Sequence, residues 1–317
     1  MTTAPRSEVE PGATGTRPVT QLGDRIFAGS AKGAGIAILV VLAGVAAFLL
    51  IEAFPALTAS ESDVPGGLVV YVAPLVFGTL LSAVIALVVA TPLAVAVALF
   101  ISHYAPRRLA QGLSYIVDLL AAVPSIVYGL WGAWTLAPLS VGLSTWLADN
   151  LGWIPLFAGP PSTTGRTMLV VGLVLAVMIL PIITAVAREV FLQTPKLHEE
   201  AALALGATRW EMIRLAVLPF GRSGIISGAM LGLGRALGET MAVAIILSAT
   251  GAVTVNLISS ENPSTIAANI ALQFPEASGI DVNVLIASGL VLFVITLLVN
   301  MLARYIVERR SDFSGAN

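Results

Sequence analysis

The chain has 317 residues, of which 57% are hydrophobic and only 11% are charged, and its mean hydropathy is +0.94. Ordinary soluble domains are about 25% charged and disordered chains are much less hydrophobic, so both classes are excluded. With no cysteine, two histidines and a net charge of −2, the sequence also excludes a disulfide scaffold, a thiolate or histidine-rich metal site and a basic surface for nucleic acid.

Apolar stretches of about 20 residues predict six membrane-spanning helices, and therefore an all-α integral membrane protein. The first is expected at residues 33–54, after a disordered cytoplasmic tail at residues 1–30. Residues 138–165 are expected to form an external loop that contains a short interfacial helix. The remaining predictions are helices at about residues 77–102, 109–136, 167–187, 223–249 and 282–303, a transmembrane domain over residues 70–307, and a cytoplasmic tail at residues 308–317.

The basic residues predict the orientation in the membrane, because cytoplasmic loops carry an excess of Lys and Arg. Fourteen of the 16 basic residues fall in the two terminal segments and in the loops after the second and fourth spans. Arg166 alone lies at the opposite face, and Arg235 alone lies within a span. We therefore expect both termini in the cytoplasm and a multi-pass location in the cell membrane.

The loop between the fourth and fifth spans, at residues 194–219, predicts two short helices that meet at a cytoplasmic elbow. Gly206 is placed to end the first helix in a left-handed conformation. Thr208 and Glu211 have the spacing of a capping box and so predict the start of the second helix.

The first helix of the elbow begins with two acidic residues, Glu199 and Glu200. A helix that lies on lipid prefers Lys and Arg on its polar face, so a cleft in a partner protein fits the elbow better. The elbow resembles the EAA loop of ABC importer permeases, with Ala216 where that family usually has isoleucine. The matching residues are Glu200, Ala201, Ala202, Gly206, Leu218 and Pro219. The resemblance implies a coupling helix that sits in a cleft of an ATPase subunit and includes Glu199, Glu200, Ala201, Ala202 and Gly206.

The chain lacks the motif by which such machines usually hydrolyse ATP. A P-loop ends in Lys followed by Ser or Thr, whereas the two lysines here, Lys32 and Lys196, are followed by Gly33 and Leu197. We therefore expect that the chain is not an enzyme and binds no cofactor itself. ATP and magnesium are expected on a separate partner ATPase.

The predicted fifth span contains Arg235 and Glu239. An ionised side chain at the centre of a bilayer costs at least about 2.5–3.5 kcal/mol on the insertion scale, so such residues are by default functional candidates. Their spacing of four residues places both on one helix face, which leaves an ion pair that only neutralises itself as the alternative. The donor fork of Arg235 matches phosphate oxygens, and Glu239 can accept a hydrogen bond from a protonated phosphate.

The same span is rich in glycine. Gly224, Gly228 and Gly232 repeat every four residues, and Gly234 and Gly238 have the same spacing. Small residues at this spacing let helices pack closely in lipid, so close packing is the main interpretation. A transport pathway along the glycine face is the alternative.

Two stretches resemble the permeases of phosphate importers. One is Gly234–Val243 in the fifth span, and the other is Ala122–Gly132 in the third. Sulfate and molybdate permeases share Arg-Ala-Leu-Gly-Glu but typically continue with Phe-Gly, so Thr240 and Met241 favour phosphate. The chain is thus similar to the C-type permeases of phosphate-specific ABC importers from about Phe77 to Arg310.

This resemblance implies a type I ABC importer permease fold and ATP-driven import of inorganic phosphate by alternating access in a prokaryote. It implies a heterodimer with a homologous A-type permease, a dimer of ATPase subunits and an external phosphate-binding protein, all at the lipid membrane. The pathway residues that it suggests are Arg235 and Glu239, with Ser125, Tyr128 and Thr240 as weaker candidates. A permease for sulfate or molybdate and an ion-coupled secondary carrier remain alternatives.

Overall fold

The computed structural model describes residues 22–59 and 66–311 of the chain. It divides the chain into two units, Met1–Phe48 and Leu49–Asn317. In the first unit the described residues are the beginning of one long helix. In the second unit the described residues are almost entirely helical, and the β structure among them is an isolated bridge between Ala249 and Asn262.

The described residues form helices that mostly follow one another with short connections, and the longer connections are residues 152–167 and 247–265. Two π-helical turns, Gly132–Leu136 and Ile213–Val217, join neighbouring α-helices into longer rods. A third, Phe100–Tyr104, extends the end of α2, and Pro155–Phe157 forms a 3₁₀ turn. The α-helices are α1 (Leu22–Thr58), α2 (Gly67–Leu99), α3 (Arg107–Ala121), α4 (Ser125–Trp131), α5 (Ala137–Leu151), α6 (Met168–Leu192), α7 (Lys196–Ala204), α8 (Arg209–Met212), α9 (Leu218–Leu237), α10 (Met241–Ile246), α11 (Ile266–Gln273) and α12 (Ile280–Ser311).

Within the described residues, six helical rods are long and apolar enough to cross a membrane. This number confirms the predicted six-span, all-α architecture. The six rods are Gly23–Thr58, Gly67–Tyr104, Ser125–Leu151, Met168–Leu192, Arg209–Leu237 and Ile280–Tyr305.

The predicted terminal tails lie mostly outside the described residues. Of the expected N-terminal tail, residues 22–30 belong to α1, and the rest falls outside the described part. Of the expected C-terminal tail, residues 308–311 belong to α12.

The third span differs from the continuous helix expected at residues 109–136. Pro124 disfavours helical backbone at the residue before it and itself has an extended ψ of 137°, so α3 ends at Ala121 and α4 begins at Ser125. From Ser125 the rod continues through α5 to Leu151. Much of the expected external loop at residues 138–165 is therefore the end of a spanning helix.

The fifth span also differs from the helix expected at residues 223–249. Its rod begins earlier, at Arg209, and α9 ends at Leu237. Residues 238–240 are not helical, and α10 starts at Met241. The side chain of Glu239 accepts a hydrogen bond from the backbone N–H of Ala242, which satisfies an otherwise unpaired donor at the start of the new helix.

Helix α6 is the centre of the second unit, because it packs against both α2 and α9. The glycine face of α9 makes the second of these contacts, which confirms the predicted close packing. A methyl group at Gly228 would lie 3.2 Å from Val186 Cβ, and one at Gly232 would lie 3.1 Å from Ile183 Cδ1. Gly234 does not take part in this packing, because a methyl group there would meet nothing within 4 Å.

Candidate functional site

The breaks in the third and fifth spans are brought together by the packing of α4 against α10. The two backbones approach closely, since a methyl group at Gly129 would lie 2.8 Å from Ala242 Cα. Because α4 and α10 each begin directly after a break, the non-helical residues 122–124 and 238–240 lie at the same region of the molecule. These residues carry backbone groups outside the regular helices, and such groups at membrane depth are tolerated where they line a cavity.

Arg235 lies two residues before the end of α9 and is half-buried. Its Nη1 donates a hydrogen bond of 3.4 Å to the carbonyl oxygen of Ala121, at the C-terminal end of α3. The partial negative charge of that helix end favours a cation. Within the part of the chain that the structure describes, this is the one hydrogen bond of the guanidinium, so most of its five N–H donors remain available.

Glu239 is buried, with 8% of its surface exposed, and its Oε1 accepts a hydrogen bond of 3.0 Å from Ala242 N. Because α9 ends at Leu237, the expectation that Arg235 and Glu239 share one helix face is wrong. Both residues are described by the structure, and no ion pair within 4.0 Å joins them. The interpretation as a self-neutralising pair therefore loses its basis, and each charge faces its own helix terminus.

The three weaker candidates also lie at the two breaks. Tyr128 is buried in α4, and its hydroxyl donates a hydrogen bond of 2.8 Å to the carbonyl oxygen of Leu120 in α3. Ser125 is the first residue of α4 and is half-buried. The hydroxyl of Thr240 donates a hydrogen bond of 3.2 Å to the carbonyl oxygen of Gly238. Thr240 thus satisfies a carbonyl group at the end of α9. The Leu120 oxygen also accepts from Val123 N, so the role of Tyr128 is to join α4 to the end of α3.

A crevice of about 630 Å³ opens beside Arg235, between α6, α9 and α12. Two further polar side chains line it, Ser227 of α9 and Asn300 of α12. Neither residue is among the candidates predicted from the sequence, although an amide late in an apolar span is a recognisable signal. The complete lining is Ile182, Ser227, Met230, Leu231, Gly234, Arg235 and Asn300.

The cytoplasmic elbow has the predicted local geometry. Gly206 has a φ of 87°, in the left-handed region that favours glycine. Thr208 and Glu211 form the predicted capping box, in which Thr208 N donates a hydrogen bond of 2.7 Å to Glu211 Oε2 and Thr208 Oγ1 accepts one of 3.3 Å from Glu211 N. The elbow is therefore formed by α7, the turn at Gly206 and α8.

The candidate coupling residues point in two directions. Glu200, Ala201 and Gly206 are exposed, whereas Ala202 is half-buried against a cluster that includes Met212, Ile213 and Val217. Glu199 is also partly buried. Glu200, Ala201 and Gly206 thus form the accessible part of the elbow.

Comparison with known proteins connects the chain to transport systems. Residues 90–312 match the family described as the binding-protein-dependent transport system inner membrane component. The phosphate transport system permease protein PstC 2 of Mycobacterium tuberculosis is 45% identical over 320 residues, which cover 96% of this chain and 98% of that protein. PstC of Mesorhizobium japonicum is 39% identical over 313 residues, which cover 93% of each chain.

Solved structures share the fold. The chain is similar to a bacterial ABC transporter involved in import of the acidic polysaccharide alginate, with a TM-score of 0.60 and 16% identity over 90% of this chain and 96% of that one. It is also similar to the inward-facing MetNI methionine ABC transporter, with a TM-score of 0.53 and 19% identity over 80% of this chain and 99% of that one. These likenesses confirm the predicted type I ABC importer permease fold.

Proposed function

The chain belongs to the inner membrane components of binding-protein-dependent transport systems, and we propose that it is the permease subunit through which an ATP-driven importer moves inorganic phosphate into the cytoplasm. The observation that carries this proposal is the position of Arg235, whose guanidinium is held at the meeting point of two broken spans and lines a crevice. Relatives with 39% and 45% identity over nearly the whole chain are phosphate transport permeases, which supports phosphate as the substrate.

The chemistry at Arg235 suits a phosphate that must bind and then leave. A guanidinium offers planar, paired N–H donors that match two phosphate oxygens. Ser227 and Asn300 add neutral hydrogen-bonding groups to the same crevice. A single cation with neutral neighbours binds an anion without trapping it, as conduction requires.

Glu239 supports phosphate over sulfate. Its Oε1 accepts from Ala242 N, and a carboxylate has further lone pairs for other donors. A protonated phosphate carries such a donor, whereas a fully deprotonated oxyanion does not. Glu239 lies outside the crevice lining but only four residues beyond Arg235. A carboxylate that an anion meets along the same pathway favours the protonated anion and disfavours sulfate.

The elbow supports an ATPase partner. Its exposed residues Glu200 and Ala201 lie next to the sharp turn at Gly206, so the elbow presents a small, acidic projection that fits a protein cleft. We place ATP and magnesium on that partner, because the chain has no P-loop. An A-type sister permease and an external phosphate-binding protein complete the proposed assembly.

Transport by the whole assembly in vesicles tests this function. We expect uptake of labelled phosphate that requires ATP on the cytoplasmic side, with little uptake of sulfate or molybdate at equal concentration. Preferred uptake of sulfate or molybdate would contradict the substrate. Equal uptake with and without ATP would contradict the ATP-driven mechanism and support an ion-coupled carrier.

A further inference from the structure

The elbow contacts the cytoplasmic end of the second span at two places. His103 Nε2 lies 3.6 Å from Glu199 Oε1 of α7. The guanidinium carbon of Arg209, the first residue of α8, lies 5.3 Å from the centre of the Tyr104 ring. His103 and Tyr104 are consecutive, so one short segment contacts both arms of the elbow, one on each side of the turn at Gly206. We call these two contacts the elbow latch.

His103 is held in place rather than freely solvated. Its side chain is 8% exposed, and its Nδ1 lies 2.7 Å from the hydroxyl oxygen of Ser102. That hydroxyl also donates a hydrogen bond of 2.8 Å to the carbonyl oxygen of Ala98, one turn earlier in α2. The ring is therefore oriented by its own helix, and its second nitrogen is directed at Glu199.

The segment that carries the latch is itself unusual. Phe100–Tyr104 forms a π-helical turn at the end of α2, and the chain becomes extended at Ala105. Single π-helical turns within α-helices occur frequently at functional sites. Helix α2, which leads into this turn, packs along α6, where the hydroxyl of Thr184 donates a hydrogen bond of 3.4 Å to the carbonyl oxygen of Ala94.

We propose that His103 and Tyr104 are positioning residues that hold both arms of the elbow against the end of the second span, so that a movement imposed on the elbow is transmitted to α2 and onward to α6. The proposal rests on the proposed function, because it assumes that a partner ATPase moves the elbow. In this proposal Glu199 contacts the second span through His103, whereas Glu200 is the exposed acidic residue of the elbow.

Loss of the elbow latch is not expected to prevent folding. The latch consists of one histidine–carboxylate contact and one cation–π contact, each of which contributes about 1 kcal/mol or less, and the apolar cluster around Met212 and Ile213 holds the elbow in place without them. Variants of the latch are therefore expected to assemble and to hydrolyse ATP. Their defect should appear in how many ATP molecules are consumed for each phosphate transported.

The test compares His103→Ala/Tyr104→Ala with the wild type in the complete assembly in vesicles. We expect the number of ATP molecules consumed per phosphate to rise at least about threefold. The loss of contacts of this strength changes the equilibrium between the attached and detached elbow by about that factor. Assembly and basal ATP hydrolysis should stay unchanged. Tyr104→Phe is the control that should couple normally, because it retains the ring that contacts Arg209.

A second experiment uses the absence of cysteine from the sequence. In the variant His103→Cys/Glu199→Cys, a short thiol cross-linker should restore coupling that the two substitutions have weakened, because the joined elements move together. An unchanged ratio of ATP to phosphate in the double alanine variant, or a cross-link that blocks transport, would overturn the proposal. Absence of phosphate uptake in the wild-type assembly would instead contradict the proposed function.

Discussion

Arg235 Nη1 donates a hydrogen bond of 3.4 Å to the carbonyl oxygen of Ala121, which is the last residue of α3. This contact ties the fifth span to the break in the third span. A cation at a helix C-terminus is stabilised by about 0.3–1 kcal/mol, so α3 holds the guanidinium without neutralising it as a carboxylate would. The charge thus remains available to an anion in the adjoining crevice.

The first prediction separates the two roles of Glu239, as an acceptor for Ala242 N and as a charge at the site. Glu239→Gln retains an oxygen that can accept this hydrogen bond, so we expect normal folding but at least about tenfold slower phosphate uptake, the effect of removing a charged hydrogen-bond partner. Glu239→Ala loses both roles and should also reduce stability by about 0.5–2 kcal/mol. Thermal unfolding and uptake are measured for both variants. Wild-type uptake by Glu239→Gln would limit Glu239 to a structural role.

The second prediction concerns the close approach of α4 and α10. A methyl group at Gly129 would lie 2.8 Å from Ala242 Cα, so Gly129→Ala must push the two broken spans apart. Overpacking of this kind costs about 1–3 kcal/mol. Gly142→Ala is the matched control, because a methyl group there meets nothing within 4 Å. Equal thermal stability of the two variants in detergent would show that this approach is not tight.

The third prediction concerns the turn of the elbow. Gly206 has a φ of 87° with open space around it, so Gly206→Ala strains the backbone alone, by about 1–2 kcal/mol. Gly206→Asn should be milder, since Asn tolerates this conformation better. We expect weaker association with the ATPase in a pull-down, with Ala more affected than Asn and with Gly112→Ala, an exposed glycine of α3, unaffected. Unchanged association for Gly206→Ala would reject the elbow as the docking element.

The fourth prediction concerns the crevice. Asn300→Leu replaces a polar group of the lining with a larger apolar one, so phosphate uptake should fall while the protein still folds. Asn283→Leu is the control on the same helix, because its amide donates a hydrogen bond of 2.7 Å to the carbonyl oxygen of Glu52 and lies away from the crevice lining. Loss of this partly buried hydrogen bond should lower stability by about 0.5–1.5 kcal/mol with less effect on uptake per folded molecule. Normal uptake by Asn300→Leu, together with reduced uptake per folded molecule by Asn283→Leu, would exclude the crevice from the pathway.

Local patterns in the sequence were sufficient to predict the number of spans and the elbow. Apolar runs are set by bilayer thickness, and the capping box of Thr208 and Glu211 depends on residues three positions apart. The break in the third span also had a local signal at Pro124. The break in the fifth span has a weaker one, because Gly238 ends α9 but other glycines of the same span lie within the helix. The new helix depends on Glu239 bonding to Ala242 N and on the packing of α10 against α4.

The site residues could be predicted from the sequence where a charged residue stands alone in an apolar stretch. Arg235 and Glu239 stood out because charges are rare and costly in an apolar span. Their geometry was not predictable, since it follows from a helix end at Gly238 that the sequence does not distinguish from the other glycines of α9. Ser227, Asn300 and His103 acquire their significance through neighbours that are distant along the chain.

Phosphate uptake by Arg235 variants of the complete assembly tests the central claim most directly. Arg235→Ala should reduce ATP-dependent uptake about 10- to 100-fold, the effect of losing a charged hydrogen-bonding partner, and Arg235→Lys should retain part of it. Arg222→Ala, which removes an exposed arginine from the same helix, should transport normally. Wild-type uptake by Arg235→Ala, with equal amounts of assembled protein and equal ATP hydrolysis, would contradict the account.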